Sequence, residues 1–469
     1  MMADEERIAW TDAGTLFKSY QSGTCSPVEV AAALLARLER LDPFVNAFVH
    51  VDPAVTINMA KASERRFREG RPIGPMDGVP VSIKDLVGVA GWPLGRGSLA
   101  LVGQPPASAD AAPVARLREA GAVFLGKTAT AEAGSRIVTR SPRHGVTLNP
   151  HDRTRTPGGS SGGAAAALAL GLGPVALGTD GAGSIRIPAA WTGTFGLKPS
   201  FGRVPVYPPG IFMPHSVVGP MSRTVDDAIT MLAVLAGPDP RDPYAWPLPF
   251  DPASARCPVA GLRVGVTRDF GMAAPCLPSA LAAAVDDAAA ALAGAGAIVS
   301  DIAPAWPSDP YESFMILWEA TYAGFLPQAY PGALREKVDP GLVAIADRGS
   351  RIDIVTYHKA LAERVALAAA AKAQFGQVDI MIGPVMPCSP PPTETDAPPG
   401  YAADDWRWCP FTYLWNMTGQ PAASIPWGVD DIGLPVGVQI VGAMGDETGI
   451  LRVARALESA APPIPRPVF

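Results

Sequence analysis

Three short stretches carry side chains that can do chemistry. GVPVSIKD (78–85) ends on Lys84 and Asp85, GGSSGG (158–163) holds Ser160 and Ser161, and GTDGAGS (178–184) closes on Ser184. A serine hydroxyl becomes a nucleophile only when a base takes its proton. Two serines in glycine-rich backbone therefore raise the question of the base. Gly158–Gly162 fits GxSxG, the elbow that places a nucleophilic serine between a strand and a helix, with an Asp and a His following. The preceding NPHDRTRTP is too polar for a buried strand, and His215 and His358 lie in no telling local context. Gly121–Thr128 fits the phosphate-loop pattern GxxxxGK[ST]. Its intervening Ala-Val-Phe-Leu reads as a strand instead of a flexible cradle. Lys84, taken alone, reads as a solvated lysine at the end of a strand.

The elements that must hold these stretches follow from periodicity. Short apolar runs bounded by turn residues occur at Val79–Ile83, Ala122–Leu125, Val175–Leu177, Leu262–Val266, Ile380–Ile382, Ala422–Ile425 and Val436–Val441. Several lack alternation, as strands buried on both faces do. Helical patterns lie between them, at Ser279–Ala293 and Tyr357–Gln374. Ser26-Pro27-Val28-Glu29 starts another that runs to about Leu41: Ser26 caps, Pro27 suits the first helical position, and Glu29 completes a capping box. The expectation is a single α/β domain over 1–469, with a large mostly parallel or mixed sheet covered by helices. The proline-rich stretches 237–255 and 384–399 read as long surface connections, the second of them mobile.

Composition removes several classes of function. Hydrophobic residues make up 48% and charged residues 17%, which supports a large buried core. The net charge of −6 and the lack of a basic block favour neither nucleic acid nor an anionic membrane. Seven glycines and two prolines break the uncharged run 156–179, so it is not a spanning helix. The acidic start MMADEERIAW has no signal-peptide character. Five cysteines without a CxxC pair read as reduced thiols in a cytoplasmic protein. Five scattered histidines without HExxH offer no metal site.

GVPVSIKD, GGSSGG and GTDGAGSIRIP, in this order and spacing, resemble the amidase signature family. So do FGLKP, NMTGQPAASIP (416–426) and GLPVGVQIVG (433–442), and the resemblance spans about residues 10–460, with the catalytic signature in 78–200. It implies a central mixed sheet flanked by helices and a Ser–Ser–Lys triad: Ser184 as nucleophile, Ser160 as bridging serine, and Lys84 as base, with a cis peptide between Gly159 and Ser160. Chemistry agrees with that division. A lysine is a base only when neutral, and burial disfavours its ammonium form. A hydroxyl can donate one hydrogen bond while accepting others, so Ser160 can pass a proton between Ser184 and Lys84. The N–H groups of Gly181, Ala182, Gly183 and Ser184 would form the oxyanion hole, where one lost donor typically costs ~10²–10³-fold in rate. Many family members have glycine where this chain has Ala182. Thr179, Asp180 and Arg186 would support the loop, with an Asp180–Arg186 pair bracing it, and Ser161 would bond to nearby backbone.

The implied reaction is hydrolysis of an amide through an acyl-enzyme, without cofactor. A carbamate or ester hydrolase with the same triad is the alternative, and the glutaminase subunit of a tRNA amidotransferase is a further one. That subunit holds its substrate amine with an Asp at a position occupied here by Cys409, which disfavours a glutamine pocket. KTATAEAGS (127–135) departs from the family's KTN..EF, so Ala133 opens one wall near Gly134 and Ser135. Trp406, Trp408, Phe411, Tyr413 and Trp415 crowd one segment. They form either an aromatic core cluster or, if two of the rings face the cleft together with Tyr207 or Phe212, an apolar or aryl-binding pocket that includes Cys409 and Trp415. The expected partner is a small amide or carbamate, with no nucleic acid and no membrane, and a homodimer is compatible with all of this.

Overall fold

The computed structural model describes residues 2–272, 277–402 and 404–469. Its strands are β1 (Phe48–His50), β2 (Pro80–Lys84), β3 (Val123–Thr128), β4 (Arg140–Ser141), β5 (Gly145–Val146), β6 (Val175–Asp180), β7 (Phe195–Lys198), β8 (Val217–Ser222), β9 (Arg263–Val266), β10 (Ile298–Asp301), β11 (Ile380–Pro384), β12 (Ala422–Val429) and β13 (Pro435–Gly442). Strands β4 and β5 form a small hairpin. Among the described residues the others make one mixed eleven-stranded sheet, in the order β1-β3-β2-β6-β8-β7-β12-β13-β11-β9-β10.

All seven apolar runs are strands of this sheet, and the helices Pro27–Leu41, Ser279–Gly294 and Ile354–Gln374 form where the sequence predicts them. The Ser26 capping box is complete, with both of its reciprocal bonds made. Gly121–Thr128 holds strand β3 and no phosphate loop, because Val123–Thr128 are wholly buried between β1 and β2. Four strands of the eleven-stranded sheet escape the sequence. In β8, Gly219 and Pro220 look like a turn, yet a Cβ at Gly219 would lie 2.2 Å from the Leu197 carbonyl oxygen, so only glycine fits there. In β7, Phe195-Gly196-Leu197-Lys198 is short and ends on a charge. Strand β10 is a largely exposed edge, and β1 has three residues.

Helices cover both faces and divide the core. One large apolar cluster runs under β2, β6, β7, β9 and β11–β13, and a second, rich in aromatic residues, joins the helices Tyr311–Ala329 and Pro410–Thr418 to the other face. The chain 384–399 is anchored, contrary to the sequence expectation. Thr156 N–H donates to the Pro391 carbonyl (3.1 Å), Arg155 Nη1 to that of Pro390 (2.7 Å), and Asp396 pairs with Arg136 and Arg140. These contacts tie it to the segment leading into GGSSGG. Among the described residues no helix is long and apolar enough to cross a membrane. Cys25, Cys257, Cys388 and Cys409 are free thiols, and Cys276 lies outside the described residues.

Candidate active site

Strand β2 delivers Lys84 to the C-terminal end of a parallel pair with β6, where the side chain is fully buried. Its Nζ lies 2.9 Å from Ser160 Oγ, 2.8 Å from Ser161 Oγ, 2.9 Å from Thr179 Oγ1 and 3.3 Å from the Thr179 carbonyl oxygen. No carboxylate is among these partners. Burial therefore pushes Lys84 well below the ordinary lysine value, and the field of Asp180 opposes this only in part. Ser161 Oγ donates to the Thr179 carbonyl (3.1 Å) and so accepts from Lys84. Ser161 makes the backbone bond expected of it and in addition holds the lysine. GGSSGG is glycine-rich because the chain is crowded there. A Cβ at Gly159 would lie 2.6 Å from the Val138 carbonyl carbon, and one at Gly163 would lie 2.5 Å from both Ala129 N and Ala47 O. The Gly159–Ser160 peptide is cis.

Strand β6 runs into the second serine loop, and the helix Arg186–Thr192 follows it. Asp180, fully buried, organises the turn. Its carboxylate accepts from the N–H groups of Gly183 (2.7 Å) and Ile185 (3.1 Å), and from Arg186 Nε and Nη2 (both 3.0 Å). The guanidinium also donates to Asn416 Oδ1 (2.6 Å) and Gln439 Oε1 (2.8 Å). Asn416 Nδ2 returns a bond to Asp180 Oδ1 (3.0 Å), and Thr412 Oγ1 donates to the Ala182 carbonyl (2.7 Å). Arg186 holds the Asp180 carboxyl well below the usual range, against a desolvation that alone would raise it. Gly183 has φ +120°, and a Cβ there would lie 2.6 Å from Thr412 Oγ1, so this position admits only glycine. The Ser161 N–H donates to the Ser184 carbonyl (3.1 Å) and locks the two serine loops together.

Of the four N–H groups expected at an oxyanion hole, one is engaged within the protein. The Gly183 N–H is spent on Asp180. Among the described residues, the N–H groups of Gly181, Ala182 and Ser184 have no intramolecular acceptor.

Ser160 and Ser184 open into one cavity of about 310 Å³. Gly134, Thr179 and Gly181 line it with them, and Leu86, Ala133, Tyr207, Ile211, Phe212, Trp318 and Tyr322 are among its apolar and aromatic walls. Gly134 packs close to Ser160, since a Cβ there would lie 3.3 Å from Ser160 Oγ.

Over residues 29–451 the chain matches the family model described as Amidase. The chain belongs to the amidase signature family. It is 34% identical to an acylamidase of Rhodococcus erythropolis, covering 98% of this chain and 97% of that one. It is 36% identical to a component of the glutamyl-tRNA(Gln) amidotransferase of Rhodopirellula baltica, covering 96% of each. Among solved structures it is similar to a bacterial aryl acylamidase, with a TM-score of 0.90 and 31% identity over 97% of this chain and 96% of that one. The protein is accordingly an amide-hydrolysing enzyme of the amidase signature fold.

Within this amidase fold, the residues predicted for the pocket divide. Gly134, Tyr207 and Phe212 line the cavity, whereas Ser135, Cys409 and Trp415 do not. Ser135 turns its hydroxyl to the Glu132 carbonyl. Cys409 and Trp415 belong to the aromatic core with Trp406, Trp408, Phe411 and Tyr413, all buried. Large aromatic side chains fill cores and line pockets equally well, so composition cannot tell the two apart. Trp318 and Tyr322, which do line the cavity, come from a helix with no motif. Asn416 and Gln439 were also missed. Gln439 had a signal: an amide inside the apolar run VGVQIVG must be buried, and buried amides need partners.

A histidine triad is not built here. His215 is buried against Phe212, burial lowers it to about 3, and neither ring nitrogen has a partner. His358 is exposed on the helix Ile354–Gln374. Among the described residues no group of three His, Cys, Asp or Glu side chains is placed to hold a metal.

Proposed function

We propose that the protein hydrolyses apolar or aryl amides through an acyl-enzyme on Ser184, with Ser160 and Lys84 as the proton relay and no cofactor. The observation that carries this reading is the buried Lys84, bonded without any carboxylate to Ser160, which lines one largely apolar cavity together with Ser184. Neutral Lys84 accepts the Ser160 proton while Ser160 accepts that of Ser184. Ser184 Oγ bonds to the carbonyl carbon, and the oxyanion meets the unengaged N–H groups of the 181–184 loop. The C–N bond then breaks as the proton returns through Ser160 to the leaving nitrogen. Water repeats the cycle and releases the acid. Ser161 and Thr179 keep Lys84 in place, and the Asp180–Arg186 pair keeps the hole in shape.

The cavity supports aryl or bulky apolar acyl or amine groups, because Phe212, Trp318 and Tyr322 give it aromatic walls. The similarity to an aryl acylamidase points the same way. Relatives that are amidotransferase components favour glutamine instead, but Cys409, which stands where their Asp is expected, contributes neither charge nor cavity surface. Turnover of matched aryl amide, carbamate, ester and glutamine substrates tests the proposal. The highest kcat/KM is expected on the aryl amide, and preference for glutamine refutes the substrate assignment.

A further inference from the structure

The cavity holds one charged side chain with nothing to balance it. Three charged side chains reach its walls: Arg96, Asp110 and Arg241. Asp110 is paired with Arg118 at 2.6 Å and accepts from the Ala90 N–H at 2.7 Å. Arg241 is paired with Asp239 at 2.8 Å and lies over the Tyr207 ring. Among the described residues Arg96 has no carboxylate within ion-pair distance and no side-chain hydrogen bond, and its buried Nε has no partner. Its guanidinium carbon lies 5.7 Å from the centre of the Phe325 ring, which offers attraction but no hydrogen bond. A guanidinium whose fork has no acceptor gains most from an oxyanion that offers it two.

The backbone fixes this group relative to the serines. Arg96 has φ +50°, a conformation uncommon outside glycine and asparagine. Its N–H donates to the Asp85 carbonyl (3.2 Å) and its carbonyl accepts from the Ala133 N–H (2.9 Å). Asp85 follows Lys84 in the chain, and Ala133 precedes Gly134, which borders Ser160. Arg96 is thus held between the two segments that frame the relay.

We infer that Arg96 is a substrate-recognition residue, and that the preferred substrates are aryl amides carrying a carboxylate on the part that fills the cavity. The inference rests on the Ser184 reading for where the scissile bond lies. The test places the carboxylate on the acyl half in one arm and on the amine half in the other.

The test compares benzanilides bearing a para-carboxylate on the acyl ring, or on the amine ring, with the matching neutral methyl ketones. In the unmodified protein one carboxylate arm should exceed its neutral match in kcat/KM by about 10- to 100-fold, the range of a charge-assisted hydrogen bond. Arg96→Met should bring that ratio close to one, and Arg96→Lys should restore part of it. A ratio at or below one in both arms, or a ratio that survives Arg96→Met, overturns the inference while leaving the aryl-amide reading in place. If none of the four compounds is turned over, the aryl-amide reading fails instead. Calorimetric binding of the same pairs to Ser184→Ala protein then decides on Arg96 by the same ratio and its loss in Ser184→Ala/Arg96→Met. Equal binding of charged and neutral partners would refute it.

Discussion

Arg186→Met tests whether the nucleophile loop is held by a buried ion pair. The substitution keeps much of the side-chain volume and deletes the guanidinium, with its two bonds to Asp180, one to Asn416 and one to Gln439. Asp180 and Arg186 are both fully buried. Removing one partner of such a pair costs about 3–5 kcal/mol, because the other charge stays behind uncompensated. Asp180 keeps the N–H groups of Gly183 and Ile185 and the Asn416 amide, which places the loss in the lower half, about 3–4 kcal/mol. The assay is urea unfolding followed by tryptophan fluorescence and far-UV circular dichroism, whose coincidence checks two-state behaviour. Asp180→Asn/Arg186→Met should cost less than the two single changes together, by about 1–3 kcal/mol, since no unpaired charge is left. The Gly181–Ser184 loop loses its anchor in Arg186→Met, so kcat should also fall, by about 10²-fold for a displacement of about 1 Å. A stability change within about 1 kcal/mol, or strict additivity in the double variant, would refute the reasoning.

Four other outcomes follow from the same geometry. Because Lys84 must be neutral, kcat/KM should fall on the acid side as it gains a proton, and His215→Gln should leave that limb in place; its loss in His215→Gln would point to a histidine base. Lys198 is fully buried with its value lowered to about 7, so between about pH 7 and 10 the unfolded chain binds a proton that the folded one does not. Stability then rises with pH, and Lys198→Met should flatten that rise by about 1.4 kcal/mol per pH unit, read from urea midpoints across the range. Gly183→Ala meets Thr412 in a backbone conformation that only glycine adopts easily, so activity should fall by about 10² or more while Ala182→Gly stays within about tenfold. Trp318→Ala should lower kcat/KM for aryl amides at least tenfold more than Trp415→Ala does relative to a matched acetamide, because Trp318 lines the cavity and Trp415 the core.

The parts of the fold legible in the sequence are those where local pattern and environment agree. Strands β2, β3, β6 and β13 are apolar runs because both of their faces are buried, and Lys84 and Ser184 could be placed at strand ends for that reason. The small residues of GGSSGG and GTDGAGS announced close approach, and Gly159, Gly163 and Gly183 have it. The roles within the relay came from the family resemblance. Local sequence left Ser160 and Ser184 as rivals, and the observation that separates them physically is that strand β6 precedes Ser184 whereas a polar segment precedes Ser160. What stayed hidden depends on long-range packing. Asn416 and Gln439 reach Asp180 and Arg186 from far along the chain, and Trp318 and Tyr322 line the cavity from an otherwise ordinary helix. Only the tertiary fold decides that Trp406–Trp415 fill a core while Trp318 lines the cavity.

The most direct test of the Ser184–Ser160–Lys84 relay is the site of a covalent adduct. An aryl sulfonyl fluoride or fluorophosphonate is incubated with the unmodified protein and with the Ser160→Ala, Ser184→Ala and Lys84→Met variants, and each is digested and mapped by mass spectrometry. The adduct should sit on Ser184 in the unmodified protein and vanish in Ser184→Ala. It should form slowly on Ser184 in Ser160→Ala and Lys84→Met, where the nucleophile remains but its activation is lost. An adduct on Ser160 in the unmodified protein, retained at full rate in Ser184→Ala, would contradict the relay and make Ser160 the nucleophile.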